Sequence, residues 1–447
     1  MEKLKRHPLY MKADALKRAF VLNGFTLYDN GMNSELEPTD VSLEVFRAPA
    51  EITAEQMLLE DGSYALRSRL LPAQLTSFKK TLPMTAITMG RIYDGRDNQH
   101  PAHLVMEGVI ADKDLPMRDF EKIWSNLAIE LYGIEASVIL EPAEKGAYKI
   151  VINKNTDDSV VLGYTGPATW IAKALLGAED PDVKTWIFSI DIDSLAICDF
   201  GLKNRAALYN NTLSYLNDYD DSASSYGDNF ESKVSNILRK MGYVEFCGDK
   251  IYTADAYIRM NMIQEAWDKN NVGVELVKPL KEYSNPLTPL RERGGLPTVL
   301  APALQQAMSE NFASGEKEAK IFEIGHIFLP SKTDGAPIEK ISVSFGAYGP
   351  NMNLREFRAD VDRFLNELGI KNHFFIPTDM AIAYKTDECL LILDEKPTYL
   401  EGNCGHISYK ALENFKINSE GFMAQLELAP LKVKAAKEYN FIPPEFT

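Results

Sequence analysis

Cysteine is scarce in these 447 residues. Cys198, Cys247, Cys389 and Cys404 lie far apart and form no C-x-x-C pair. That excludes a four-thiolate zinc knuckle and a disulfide-stapled scaffold, and it suits a reducing compartment. Long apolar runs are missing too: none reaches the roughly 20 residues of a membrane span. The opening M-E-K-L-K-R-H-P-L holds no apolar segment of the signal-peptide kind. A cytoplasmic protein without membrane contact is the expectation. Positive charge is in deficit: 48 lysines and arginines face 64 aspartates and glutamates, a net charge of −16. Such a chain repels phosphate backbones at long range. This argues against a general nucleic-acid binder and leaves room only for a local basic patch.

What is present is ordinary globular composition, 45% hydrophobic and 25% charged. The length predicts two or three domains. One stretch, 217–228, reads N-D-Y-D-D-S-A-S-S-Y-G-D, acidic and small with no apolar period. It is read as a linker between a domain over 1–216 and a second over 229–447. Each half opens with an amphipathic helix that stops at glycine and passes into an aromatic, β-prone segment. The pairs are Leu16, Ala19, Phe20, Asn23 and Gly24 before F-T-L-Y, and Phe230, Val234, Ile237, Leu238, Met241 and Gly242 before Y-V-E-F. Asn229 is the candidate cap of the second helix.

The parallel continues in the same order. Leu70-Leu71-Pro72-Ala73-Gln74-Leu75 resembles Val299-Leu300-Ala301-Pro302-Ala303-Leu304. Ile87 to Tyr93 resembles Phe322 to Phe328. The helix Phe120, Ile123, Trp124, Leu127, Leu131 ending at Gly133 resembles Phe357, Val361, Phe364, Leu365, Leu368 ending at Gly369. We infer two copies of one unit. Residues 147–153 and 341–345 alternate with period two, and 425–428 is short and β-prone. Strands and helices do not alternate strictly, so the expected class is α+β: an antiparallel sheet with flanking helices in each copy.

The motifs resemble a known family. His7-Pro8-Leu9, the run Leu66 to Gln74 (L-R-S-R-L-L-P-A-Q), Gly90-Arg91-Ile92-Tyr93, Met106-Glu107-Gly108, Val161 to Gly166 (V-L-G-Y-T-G) and Trp186 to Ala196 follow the order of the phenylalanyl-tRNA synthetase alpha core, a class II synthetase. Val274 to Leu280, Phe322 to Phe328, Gly405-His406-Ile407 and Gln425 to Leu428 resemble the catalytic-like core of that family's beta subunit. The resemblance implies two class II synthetase-type units joined in one chain as an internal pseudo-dimer. By the same resemblance, the alpha subunit's coiled-coil arm and the beta subunit's editing and anticodon-binding regions are expected to be absent.

The resemblance also implies a chemistry. Amino-acid activation brings a carboxylate to the α-phosphate of ATP, so the site supplies positive charge and magnesium. Arginine suits this because its planar fork donates two bonds to phosphate oxygens. In this chain the motif 2 arginine position reads Asp94, with Arg96 two residues on, and the motif 3 arginine position reads Ser194. The resemblance makes Arg91, Arg96 and Glu107 the catalytic candidates. Arg96, Glu107, Asp191 and Asp193 become the candidates for ATP and Mg. The implied amino-acid pocket is Arg67, Arg69, Gln74, Gly163, Tyr164, Gly166 and Ser189. Asp191 and Asp193 can hold magnesium, or can equally repel ATP and mark a site that no longer binds it. His100 and His103 form an H-x-x-H pair in a loop with Asp97 and Gln99, which reads either as two metal ligands or as a polar loop. Arg67 and Arg69 read either as pocket cations, which argue for an acidic or carboxylate-bearing ligand over phenylalanine, or as an ordinary solvated strand. The family's aromatic wall is replaced by A-Y-K-I-V-I-N.

Three functions stay open. The first is ATP-dependent activation of an amino acid or related carboxylate, with an acceptor other than a full tRNA. The second is a true aminoacyl-tRNA ligase with few tRNA contacts. The third is a non-catalytic paralogue that senses an amino acid or regulates a partner. The resemblance further implies a homodimer.

Overall fold

The computed structural model describes residues 4–28, 34–38, 57–59, 64–78, 81–95, 100–113, 115–155, 158–221, 229–261, 272–276, 295–331, 336–378, 383–394 and 399–439. The chain divides into two compact units. The first is Pro8–Leu208 with Glu275–Ser284. The second is Met1–His7, Tyr209–Val274 and Asn285–Thr447. Of the acidic stretch read as a linker, Asp220–Asp221 pairs with Leu4–Lys5 within the second unit, and 222–228 lies outside the described residues.

The first unit is built on a seven-stranded sheet. Its strands are β1 (Thr26–Leu27), β2 (Met84–Tyr93), β3 (Ala102–Lys113), β4 (Ser137–Pro142), β5 (Tyr148–Asn153), β6 (Ser159–Pro167) and β7 (Val183–Asp191). Their order across the sheet is β1-β2-β3-β7-β6-β5-β4. Only the β1–β2 pair is parallel. The helices include α1 (Pro8–Leu22), α2 (Leu71–Gln74), α3 (Met117–Tyr132), α4 (Trp170–Leu176) and α5 (Ile192–Asp199). Alternation along β7 divides the packing between two faces. Trp186 and Phe188 turn to α1 and α3: Phe188 stacks on Phe20 with centroids 5.4 Å apart and meets Trp124 edge-on at 5.1 Å, and Trp186 stacks on Phe120 at 4.5 Å. Ile187 turns the other way, into a cluster with Ala86, Val109, Leu71, Leu75, Ala172 and Leu176 under α2 and α4. Gly108 belongs to the aromatic face because a Cβ there would sit 2.3 Å from the Phe188 ring.

The second unit repeats this plan. Its strands are β8 (Val244–Glu245), β9 (Ala319–Leu329), β10 (Ile338–Tyr348), β11 (His373–Thr378), β12 (Tyr384–Asp394), β13 (Tyr399–Ile407) and β14 (Gly421–Glu427). They run β8-β9-β10-β14-β13-β12-β11, the same order with seven added to each number, and again only the first pair is parallel. Its helices include α6 (Phe230–Lys240), α7 (Ala301–Ala313), α8 (Leu354–Leu368), α9 (Tyr409–Asn414) and α10 (Leu428–Tyr439). Phe345, Phe357, Phe364 and Phe422 form its aromatic face. The α+β class and the antiparallel sheets expected from the sequence are present in both units. So are the capping glycines: Gly369 takes φ +96° after α8, a conformation that favours glycine. The expected strand at 341–345 falls in β10, that at 147–153 in β5 from Tyr148 on, and that at 425–428 in β14 up to Glu427, Leu428 opening α10.

Candidate functional site

Register lines up one row of side chains across the first sheet. Thr88 on β2 pairs with Glu107 on β3, Glu107 with Ser189 on β7, and Ser189 with Tyr164 on β6. Tyr164 pairs in turn with Lys149 on β5, and Lys149 with Glu141 on β4. Paired residues share a face, so these six stand together on the side away from α3. Three of the residues expected from the sequence, Glu107, Tyr164 and Ser189, therefore meet. Gly163 lies at the register shift of β6, where the Ser189 carbonyl comes so close that a Cβ would stand 2.3 Å from it. Gly166 is one row away, opposite Ile187.

Glu107 is fully buried and densely bonded. Its Oε2 accepts the backbone N–H of Leu70 at 2.8 Å and of Leu71 at 2.9 Å. Its Oε1 faces Arg69 and the Ser189 hydroxyl, each at 3.5 Å. The carboxylate thus caps the start of α2, where backbone donors have no helical partner. Arg67 and Arg69 are each 4% exposed, so neither lies on a solvated strand. Arg67 spends its guanidinium on carbonyls, donating to Arg91 O at 2.6 Å and Ser34 O at 2.7 Å. It lies against Gly90, where a Cβ would be 2.6 Å from a guanidinium nitrogen. Arg91 donates to the Tyr10 hydroxyl at 3.0 Å. Gln74 is buried at the end of α2.

The sequence reading missed three residues here. Tyr93 donates to Glu35 at 2.5 Å, and burial together with that carboxylate pushes the phenol well above its ordinary range. Glu37 accepts the Ser68 N–H at 3.2 Å. The third is Arg205. Its Nη2 is 3.3 Å from Asp191, its Nε 3.3 Å from the fully buried Asp193, and its Nη1 3.3 Å from His103 Nε2. Asp191 also caps α5, accepting from the Ser194 N–H at 3.1 Å and its hydroxyl at 2.8 Å. Asp193 accepts the Leu104 N–H at 3.0 Å. Asp94 is buried beside this region, and Arg96, Asp97 and Gln99 lie outside the described residues.

Comparison with known proteins matches this architecture twice. Residues 1–147 fit the model of the class II core domain (F) of tRNA synthetases, and residues 220–428 fit the phenylalanyl-tRNA synthetase beta chain CLM domain. The two halves thus match the alpha-type core and the beta-type domain of the phenylalanyl-tRNA synthetase family. The chain joins an alpha-type core and a beta-type core in one polypeptide. It is 21% identical over 242 residues to the phenylalanine–tRNA ligase alpha subunit of Bacillus licheniformis, covering 48% of this chain and 68% of that one. It is 23% identical over 149 residues to the beta subunit of Clostridium acetobutylicum, covering 33% of this chain and only 18% of that relative. A pyrrolysyl-tRNA synthetase of Desulfitobacterium hafniense superposes with a TM-score of 0.35 at 16% identity, covering 45% of this chain and 66% of that one.

Family members of this class imply ATP and Mg2+. Asp191 and Asp193, the carboxylates that the resemblance offers for the metal, do not fit it. Both oxygens of Asp193 are engaged, one by Leu104 and one by Arg205, and both of Asp191 are engaged by Ser194, one of them also by Arg205. A hard cation demands several oxygens from one small shell. Here one guanidinium already contacts both carboxylates. Among the described residues, no helix is long and apolar enough to cross a membrane.

Proposed function

We propose that the alpha-type unit of this phenylalanyl-synthetase-type protein binds an amino acid or a related small carboxylate on the open part of its sheet. One observation carries the reading. The partly exposed row from Ser189 through Tyr164 to Lys149 sets a hydroxyl, a phenol and an ammonium side by side, whereas the equivalent positions of the beta-type unit carry two amides and a leucine. That second row reads Glu323, Ser344, Gln425, Asn403, Leu391 and Ile376. Its Gln425 accepts the Leu300 N–H at 2.8 Å, its Asn403 accepts the Tyr384 hydroxyl at 2.6 Å, and its Glu323 is paired with Lys250. The beta-type unit then serves as a structural partner rather than a second ligand site.

ATP-dependent activation is the second reading. It is favoured by the family's glutamate at Glu107 and by Arg96, three residues beyond the end of β2 in sequence. The acceptor under this reading is a tRNA or another nucleophile, and the assembly is a homodimer. Calorimetric titration of the purified chain with the twenty amino acids, with and without ATP–Mg, followed by pyrophosphate exchange, separates the two. Binding of one amino acid without exchange sustains recognition alone. Exchange dependent on that amino acid establishes activation, and no amino-acid binding at all ends both readings.

A further inference from the structure

We infer that Lys149 sets the ligand class of the alpha-type unit: an amino acid or small carboxylate whose side chain ends in an anion. The inference rests on the binding reading above and goes beyond it by naming the chemistry at the far end of the ligand.

Lys149 stands on β5, next to Tyr164 and two strands from Ser189 in the open row. Its side chain is 34% exposed. Its recorded ionic partner is Glu141 on the edge strand β4, at 3.2 Å, itself 49% exposed. An exposed cross-strand pair of this kind contributes little, so a ligand anion displaces Glu141 at small cost. The surroundings are apolar. Val151 and Val161 share the face with Lys149, and Ile139 lies opposite Val151 on β4. Ile139 and Val161 are large apolar side chains left 49% and 40% exposed. Such walls exclude water from an occupied site and strengthen a charge–charge contact within it.

The duplicated unit supplies an internal control. At the position equivalent to Lys149 it has Leu391, opposite Ile376. The sheet therefore forms with an apolar pair at this place, and nothing in the architecture requires a cation. Tyr164, between Lys149 and Ser189, sets the spacing between the two ends of the ligand.

The test is calorimetric titration of the full chain with aspartate, glutamate and O-phosphoserine, against glutamine, phenylalanine and lysine. The first three separate a carboxylate from a phosphate terminus. One anionic ligand is expected to bind about tenfold or more tighter than its neutral counterpart, the gain typical of a charge-assisted contact. Lys149→Met should erase that preference, and Lys149→Arg should keep it. Thermal melting establishes that both variants are folded, which is expected because the equivalent residue is Leu391. Tightest binding of a neutral or aromatic amino acid overturns the inference and leaves the binding reading standing. An anionic preference that survives Lys149→Met removes Lys149 from the role. Failure of every amino acid to bind overturns both.

Discussion

Glu107 shows how one residue can be legible in type and hidden in role. The sequence marks it as a carboxylate of a phosphate-handling motif. The structure surrounds it with two backbone donors, Arg69 and Ser189. Glu107→Ala leaves the buried Arg69 without its counter-charge and two N–H groups without an acceptor. The expected loss is roughly 3–5 kcal/mol, the cost of breaking a buried pair. Urea denaturation measures it, and Glu107→Gln should lose less because an amide oxygen still caps α2. A shift in midpoint of only a few tenths of a molar for Glu107→Ala would free the residue for a ligand role. Arg205 is the converse case. Its partners lie 12 and 14 residues upstream at Asp193 and Asp191, and 102 upstream at His103. No spacing rule connects those positions, because the chain after α5 turns into a short helix, Arg205–Leu208, that brings them together. Tyr93 with Glu35, 58 residues apart, and Arg91 with Tyr10, 81 apart, were invisible for the same reason. Arg205→Ala removes a cationic partner of the fully buried Asp193, and should lower stability by about 2–4 kcal/mol without altering the sheet. A circular-dichroism melt reads both parts of that expectation.

Elements were more legible than contacts, because helix-to-glycine stops and period-two strands are local signals. What local pattern does not carry is how an element is tied down. The C-terminal end of α5 is held by Asp199, which binds Lys12 of α1, Lys154 after β5 at 2.8 Å and the Tyr132 hydroxyl of α3 at 2.8 Å. Burial raises the Asp199 carboxyl. The Lys12 charge and the three hydrogen bonds outweigh it and hold the group below its ordinary value. A depressed folded pKa gives stability that is present above the unfolded value of about 3.9 and is lost as pH falls through the folded value. The wild-type urea midpoint should therefore drop on acidification below about pH 4. Asp199→Asn should be less stable at neutral pH and show a shallower acid slope. Equal slopes for the two proteins would remove Asp199 from the acid transition. A second element-scale expectation concerns the β6–β7 seam. Gly163→Ala drives a Cβ to within 2.3 Å of the Ser189 carbonyl, so the strands must part. It should cost about 1–3 kcal/mol and, because Tyr164 and Ser189 move with the strands, weaken ligand binding beyond the loss of stability. Gly405 in the beta-type unit is crowded at the β12–β13 seam instead, where a Cβ would be 2.2 Å from the Glu388 carbonyl. Gly405→Ala should destabilise similarly and leave binding unchanged.

At the scale of the whole molecule, duplication and charge decide what the chain can do. Two sheets of identical strand order carry equivalent rows, yet the polar groups have been redistributed. The carboxylate is on β3 at Glu107 in one and on β9 at Glu323 in the other, and Lys149 answers to Leu391. One row carries a hydroxyl, a phenol and an ammonium at its middle positions where the other carries two amides and a leucine, a chemical difference between two copies of one fold. The net charge of −16 bears on the acceptor. Contact with tRNA requires several cations to displace counterions, and affinity then falls steeply with salt. The described arginines of the alpha-type core that were argued above bind carbonyls, carboxylates or a phenol instead. The chain should therefore show no saturable binding of unfractionated tRNA by filter retention at about 150 mM salt, and any retention at about 50 mM salt should collapse over that range. A saturable complex at the higher salt would require a basic surface that these arginines do not supply. It would restore the tRNA-ligase reading over recognition of a free amino acid, because only a genuine phosphate-contacting face can hold a polyanion to an acidic molecule once counterions compete.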